Sequence, residues 1–306
     1  MKNELIDAAR HYAEEHANAD GVAITPVPGL RVMCVDAPRG KLESTYRPLV
    51  CLVLQGAKYL LVGSQAQTCI EGQSVIVAAD MPVSGQVLRA TSIRPYIALA
   101  VELDMNLLAE LADSTGSSAP PAKPSARTLF LQDSSKAILD CGYRLMQLID
   151  TPAAIPILRP GLMKELHFWL LAGPAGAQLR TMVASGSTAN SLARAIAILR
   201  ADFRSRIPIE RLAEAAYMGV TTFHKRFKEL TSLTPGQYQK RLRLIEARRL
   251  MLYDGTAASR AAYEVGYESV SQFTRDYARM FGIPPKRHTK NHDQRRGFPS
   301  SCTSEL

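Results

Sequence analysis

The chain has 306 residues, 46% of them hydrophobic, which is enough for two domains with a core each. Its net charge of +9 is uneven: residues 186–296 hold 21 Lys/Arg against 10 Asp/Glu, whereas residues 1–185 hold 16 against 17, so one half is built to meet a polyanion and the other is near neutral. The five cysteines (Cys34, Cys51, Cys69, Cys141 and Cys302) are scattered and odd in number, no signal peptide opens the chain, and the longest apolar stretches are broken by charge; this excludes a disulfide framework and a membrane span and points to the cytoplasm.

Residues 3–19 repeat Leu5, Ala8, Ala9, Tyr12 and Ala13 at helical spacing. From 22 to 103 the texture changes to short β-rich runs such as LVCLVLQ and QSVIVAA, with Gly56, Gly63, Gly72 and Gly85 supplying turns. Strands this short and close predict a small barrel or sandwich. Residues 113–127, rich in Ser, Pro and Ala, read as a mobile loop or linker. Helical patterns return at 133–150 and 160–172, GPAGA at 173–177 reads as a turn, and the small polar stretch around Ala184–Ala189 is the expected domain boundary.

The basic half predicts a helix near 190–203, then a helix over 209–216 that starts beside Pro208 and buries Leu212, Ala213 and Ala216. A turn at 217–220 leads into a helix over 221–231. Its inward face is Phe223, Phe227 and Leu230, and its outward face carries Thr221, His224, Lys225 and Lys228. A long, arginine-rich helix follows over 235–253, with Tyr238, Leu242, Ile245 and Leu252 as apolar positions. A second helix pair at 258–265 and 269–281 buries Ala262, Val265, Phe273, Tyr277 and Met280 and exposes Ser271, Gln272 and Arg275. Residues 297–306 read as a disordered tail.

The two helix pairs repeat at an offset of 50 residues. Phe223 matches Phe273, Phe227 matches Tyr277, Leu230 matches Met280, Pro235 matches Pro285, and Ala216-Tyr217 matches Gly266-Tyr267. A duplicated helix-turn-helix on a basic background is a device for entering a DNA groove twice. At 1.5 Å per residue the 19-residue connecting helix is about 28 Å long, so it can hold two recognition helices about one DNA turn apart. Lys225, Gln272 and Arg275 have donors for base edges, whereas Arg226, Lys228, Lys240 and Arg279 are candidates for phosphates. The plainer reading is an α-solenoid whose charged faces are merely solvated.

The segment RIPIERLAEAAYMGVTTFHKRFKELTSLTPGQYQKRLRLIEARRLML, followed by AAYEVGYESVSQFTRDYARMFGIPP, resembles the DNA-binding domain of AraC-type transcription regulators, over roughly residues 190–287. The resemblance implies base reading by Thr221, His224 and Lys225 in the first unit and by Ser271, Gln272 and Arg275 in the second. Gly219 stands where the family often has a capping Ser, a change that weakens the first helix start by a few tenths of a kcal/mol. Residues 46–108 resemble the N-terminal domain of one AraC subgroup, which implies a cupin-like barrel that senses an effector or dimerises.

The expected fold is therefore α+β. A cupin-like barrel with flanking helices occupies 1–185, and an all-α domain of two helix-turn-helix units joined by a long helix occupies 186–296. The expected function is a one-component, sequence-specific transcription regulator, an activator controlled by a small molecule or a redox signal. Its partners would be promoter DNA, RNA polymerase, an effector and a second copy of the chain. No cofactor or metal is expected. No histidine lies between His16 and His167, and Glu43, Glu71, Asp80 and Glu102 are isolated, which argues against a cupin-type metalloenzyme with a DNA-binding tail. A non-specific architectural DNA binder is the other alternative. Candidate sensing residues are Cys34, Cys51 and Tyr59; the cysteines would need Lys58 or Arg47 to lower their pKa, and otherwise Cys51 and Cys69 are small core hydrophobes. His167 and Trp169 are expected in the core or an interface rather than in a site.

Overall fold

A computed structural model of the chain describes residues 2–62, 65–115, 128–184 and 187–295. Helix α1 (Lys2–His16) precedes nine strands: β1 (Val22–Ile24), β2 (Leu30–Val35), β3 (Leu42–Tyr46), β4 (Leu49–Gln55), β5 (Ala57–Val62), β6 (Gln65–Ile70), β7 (Gln73–Val77), β8 (Met81–Arg89) and β9 (Tyr96–Glu102). Helix α2 (Met105–Ser114), strand β10 (Leu129–Asp133), and helices α3 (Lys136–Gln147), α4 (Ile155–Ala172) and α5 (Gly176–Val183) complete the first half. The strands pair antiparallel throughout, in a six-stranded sheet ordered β1-β2-β9-β4-β7-β10 and a four-stranded sheet ordered β3-β8-β5-β6.

Strand β4 shows why the apolar run LVCLVLQ is a strand with two buried faces. Val50, Leu52 and Leu54 join the core against the helices, while Leu49 and Val53 join the core between the sheets, with Cys51 packed beside them. Side chains alternate across a strand, so a continuous hydrophobic run here means cover on both sides rather than a helix. α1, α3 and α4 bury Leu5, Ala9, Ile138, Leu145, Leu166 and Leu170 against the outer face of the larger sheet. His167 pins two of these helices. Its Nε2 accepts the Asp104 N–H at 2.9 Å and its Nδ1 donates to the Met163 carbonyl at 2.6 Å, an arrangement that requires the neutral ring. Burial pushes its pKa down, in keeping with that role.

Three readings of the first half change. The helix α2 was missed, because the expected linker at 113–127 drew attention away from MNLLAELADS, whose start Asp104 caps by accepting from the Asn106 and Leu107 N–H groups. The rest of that linker, from 116, lies outside the described residues. GPAGA turns only as far as Ala175 before α5 begins at Gly176. The tail at 297–306 is also outside the described residues.

The second half is helical: α6 (Thr188–Ala201), α7 (Ile209–Ala215), α8 (Val220–Thr231), α9 (Pro235–Tyr253), α10 (Ala258–Glu264), α11 (Val270–Phe281) and α12 (Pro285–Arg295). It has two cores. Leu192, Leu199, Leu212, Phe223, Phe227 and Tyr238 form the first, and Leu244, Ala247, Met251, Val265, Phe273 and Tyr277 form the second, with α9 contributing to both. The helical half packs against the barrel through buried polar ties. Arg248 makes two parallel bonds to Asp20 at 2.8 and 2.9 Å, Tyr253 also reaches Asp20, Arg200 pairs with Asp80, and the Tyr238 hydroxyl donates to the Asp80 carbonyl at 3.1 Å. None of the described helices is long and apolar enough to cross a membrane.

Candidate nucleic-acid interface

The recognition helices α8 and α11 are each 12 residues long and joined by the 19-residue α9. α9 starts at a complete capping box: Thr234 accepts from the Gln237 N–H while the Gln237 side chain accepts from the Thr234 N–H. Arg243 on α9 ties the units together, donating to the carbonyls of Phe203, Arg204 and Ser205 between α6 and α7, and to the carbonyl of Gly266 in the second turn at 2.8 Å.

The turns are not built alike. α7 and α10 start 49 residues apart, at Ile209 and Ala258, whereas α8 and α11 start 50 apart, at Val220 and Val270. The second turn is one residue longer. The residues with positive φ are Tyr217 at 55° and Gly266 at 87°, and each follows a helix whose last turn closes the same way, with Met218 N–H bonded to the Ala213 carbonyl and Tyr267 N–H to the Ala262 carbonyl. Tyr217 is thus the structural partner of Gly266, and the sequence pairing of Ala216-Tyr217 with Gly266-Tyr267 is off by one in this turn. The repeat is visible in the aromatic positions of the second helices, and these do not report the length of the turns before them.

On α8 the candidates Thr221, His224 and Lys225 are all exposed, at i, i+3 and i+4 on one face. Arg226 and Lys228 are exposed too; Arg226 pairs with Glu229 at 3.0 Å, and Lys225 and Lys228 have no carboxylate within ion-pair distance among the described residues. On α11 Ser271 and Arg275 are exposed, but Gln272 is partly buried and bonded. The offset of 50 within these helices sets Thr222 against Gln272 and His224 against Thr274, so the two candidate trios do not occupy equivalent positions. Thr274 is half-buried and donates its hydroxyl to the Val270 carbonyl.

The residue that organises α11 was missed. Asp276, with its side chain 3% exposed, accepts from Gln272 Nε2 at 3.0 Å, from Lys240 Nζ at 3.2 Å and from the Tyr267 hydroxyl at 3.4 Å; Arg279 lies 3.7 Å from its other oxygen. Gln272 in turn accepts from Arg275 Nη2 at 2.8 Å. Burial alone would raise the Asp276 carboxyl, but bonds from Gln272 and Lys240 outweigh it and hold it below the ordinary aspartate value. Two of the four phosphate candidates, Lys240 and Arg279, are therefore drawn toward Asp276. A clue was present: Asp276 falls on the inward side of α11 between Phe273 and Tyr277, where a carboxylate must find cations or donors.

The sensing candidates do not form one site. Cys51 faces the interior between the sheets and Cys34 packs against the helix-side core. Burial raises both thiols, and the pull of Lys58 on Cys51 does not reverse it; Arg47 is not among the groups acting on either. The activation that a redox role required is absent from their surroundings. Tyr59 alternates with the inward-facing Lys58 and Leu60 on β5, so it lies on the outer face.

A model of the AraC-type transcriptional regulator N-terminus matches residues 26–178, and a helix-turn-helix domain model matches residues 212–291. The chain belongs to the AraC-type transcriptional regulators. As such it is a DNA-binding regulator with an N-terminal regulatory domain. The HTH-type transcriptional activator RhaS of Salmonella schwarzengrund (strain CVM19633) is 31% identical over 109 residues, 35% of this AraC-type chain and 39% of that protein. RhaS of Escherichia fergusonii is 30% identical over 98 residues, 32% and 35% of the two chains. The matched part thus spans well under half the length of these curated relatives. Unsaturated fatty acid bound wild-type ToxT from Vibrio cholerae strain SCE256 superposes with a TM-score of 0.56 at 9% identity, over 85% of this regulator and 94% of that chain, and apo ToxT with 0.55 at 11%; these show a shared fold.

Proposed function

We propose that this AraC-type regulator reads a promoter with both recognition helices and that a small molecule held by its first domain controls the reading. The carrying observation is the pair of 12-residue helices set on one 19-residue helix, about 28 Å long at 1.5 Å per residue, each offering polar side chains outward. Thr221, His224, Lys225, Ser271 and Arg275 would read bases, with Gln272 joining through its bond to Arg275. Arg226 and Lys228 would hold phosphates. The ties at Asp20 and Asp80 support control across the two domains, because an effector that favours one arrangement of them shifts promoter occupancy by its difference in affinity. The likeness to RhaS, named as an activator, supports activation through contact with RNA polymerase. The exposed Phe168 and Trp169 on α4, with Ile157 and Leu158, support pairing with a second copy. A DNA target places the protein in the cytoplasm, and the family favours regulation over catalysis.

The test is fluorescence anisotropy at about 150 mM salt, where phosphate-only binding is already weakened. DNA from upstream of the protein's own gene is compared with shuffled DNA. Preference of at least ~10³-fold is expected of a specific reader. Equal binding to both would instead support a non-specific architectural role.

A further inference from the structure

Lys58 lies in the wall of the barrel with 4% of its surface exposed, and no carboxylate reaches it among the described residues. Its ammonium is 3.3 Å from Met33 Sδ, 3.4 Å from the Tyr46 hydroxyl and 5.9 Å from the centre of the buried Tyr96 ring. Burial works against the charge, while the Tyr46 hydroxyl and the Cys51 and Cys69 thiols favour it, and the balance lies above the ordinary lysine value, so the group is a cation. A buried cation without an anion is costly to keep, and an apolar residue of the same shape would cost less. The fold also makes room for it: a Cβ at Gly85 on the neighbouring strand would sit 2.8 Å from Lys58 Cε.

Lys58 and Gly85 form the floor of a cleft of about 900 Å³ between the domains. Met33, Leu42 and Val87 give it an apolar wall from the barrel, and Leu252 and Ile283 give one from the DNA-binding half. Arg39, Lys41 and Arg248 also line it, against Asp20 and Asp36, and Asp20 is already taken by Arg248.

We infer that this cleft binds a small organic anion with an apolar body, its carboxylate on the Lys58 ammonium and its body between Leu42 and Val87 on one side and Leu252 and Ile283 on the other. The inference deepens the reading of the first domain as an effector domain and rests on it. Because the two walls belong to different domains, the occupant changes how the helical half is held against the barrel.

The probe is 1-anilinonaphthalene-8-sulfonate, an anion with an aromatic body, bound to the full-length protein and displaced by octanoate or by octanol. Octanoate should displace it and uncharged octanol should not. Lys58→Met, which keeps length and apolar packing, should weaken octanoate at least ~10-fold, the scale of a charged hydrogen bond, while Lys58→Arg should keep it within a few-fold. Circular dichroism of both variants confirms that they fold. DNA affinity without octanoate, read in parallel, reports promoter reading separately, so the failure of one does not pass for failure of the other. Displacement by octanol equal to that by octanoate, no displacement by octanoate, or unchanged octanoate affinity in Lys58→Met would each overturn the site.

Discussion

In the first helix-turn-helix unit Phe223 and Phe227 lie 5.4 Å apart and Tyr238 closes against Phe227 at 5.5 Å; in the second Tyr267 packs on Phe273 at 5.4 Å and Phe273 on Tyr277 at 5.5 Å. The cores are near copies. The surfaces are not. Lys225 stands free of carboxylates on α8, whereas Arg275, Gln272, Asp276 and Lys240 form one bonded chain across α11 and α9. α8 starts at Gly219 with no side-chain cap, and α11 starts at Ser269, whose hydroxyl accepts from the Gln272 N–H. The comparison teaches that duplication preserved what buries and let the reading surface diverge. The second unit is preorganised, and the first leaves its side chains free to settle on whatever the groove presents.

The largest effects should come from the shared part. Phe227→Ala and Phe273→Ala should each cost about 3–5 kcal/mol, the scale for removing a fully buried aromatic. The sole tryptophan, Trp169, is on α4 of the barrel half, so its fluorescence follows that half in urea while circular dichroism also follows the helical half. Matching losses from the two variants support equivalent cores. If one variant left the circular dichroism midpoint in place, the cores would not be equivalent.

Next come the turns. Gly266→Ala should cost about 3 kcal/mol or more, because its Cβ would meet the Arg204 carbonyl at 1.9 Å and its φ of 87° is unfavourable for an L side chain. Tyr217 already bears a positive φ, is 80% exposed and has Arg194 4.7 Å over its ring. Tyr217→Gly relieves backbone strain and gives up that stacking, so it should land within about 1 kcal/mol of the parent. A large loss in Tyr217→Gly would mean that the Arg194 contact, not the turn, holds the first unit together.

Asp276→Ala tests preorganisation. It should free Gln272 and Lys240 and lower the preference for the cognate base opposite Arg275 about tenfold, the low end of a bidentate contact. Arg275→Ala should cost about 1–3 kcal/mol on the cognate site alone. The same substitution of Lys225, which has no such support, should have the smaller effect on discrimination. Anisotropy on single-mismatch duplexes separates these outcomes; a thermal shift in Asp276→Ala with discrimination intact would reduce Asp276 to a packing role.

The unequal legibility of the two layers has a physical cause. Phe223, Phe227, Phe273 and Tyr277 could be placed from spacing because helical period and burial are properties of one segment. Both long helices and the strand-rich half followed from the same kind of signal. The Asp276 cluster draws on α9, α11 and the second turn, and Lys58 meets Tyr46, Met33 and Tyr96 from three other strands; no local pattern encodes such meetings. Tyr59 was chosen over Lys58 one residue away, and a shift of one along a strand changes the face. The offset of 50 concealed the extra residue in the second turn for a related reason, since the match rested on residues that follow it.

Gly219→Ser is the smallest of these changes and the finest probe of the comparison. Gly219 has φ −66° and ψ 150°, an extended backbone that serine adopts freely, and no atom lies within 4 Å of a Cβ built there. The new hydroxyl would face the Thr222 N–H as Ser269 faces the Gln272 N–H in the second unit. The gain should be a few tenths of a kcal/mol, since glycine is itself a tolerable cap. It would appear as a rise in the urea midpoint at constant slope. If the missing cap is what loosens α8, the same variant should slow the exchange of the first α8 amides without changing those of α11. A midpoint that falls would show that the open start of α8 is held by something other than its cap.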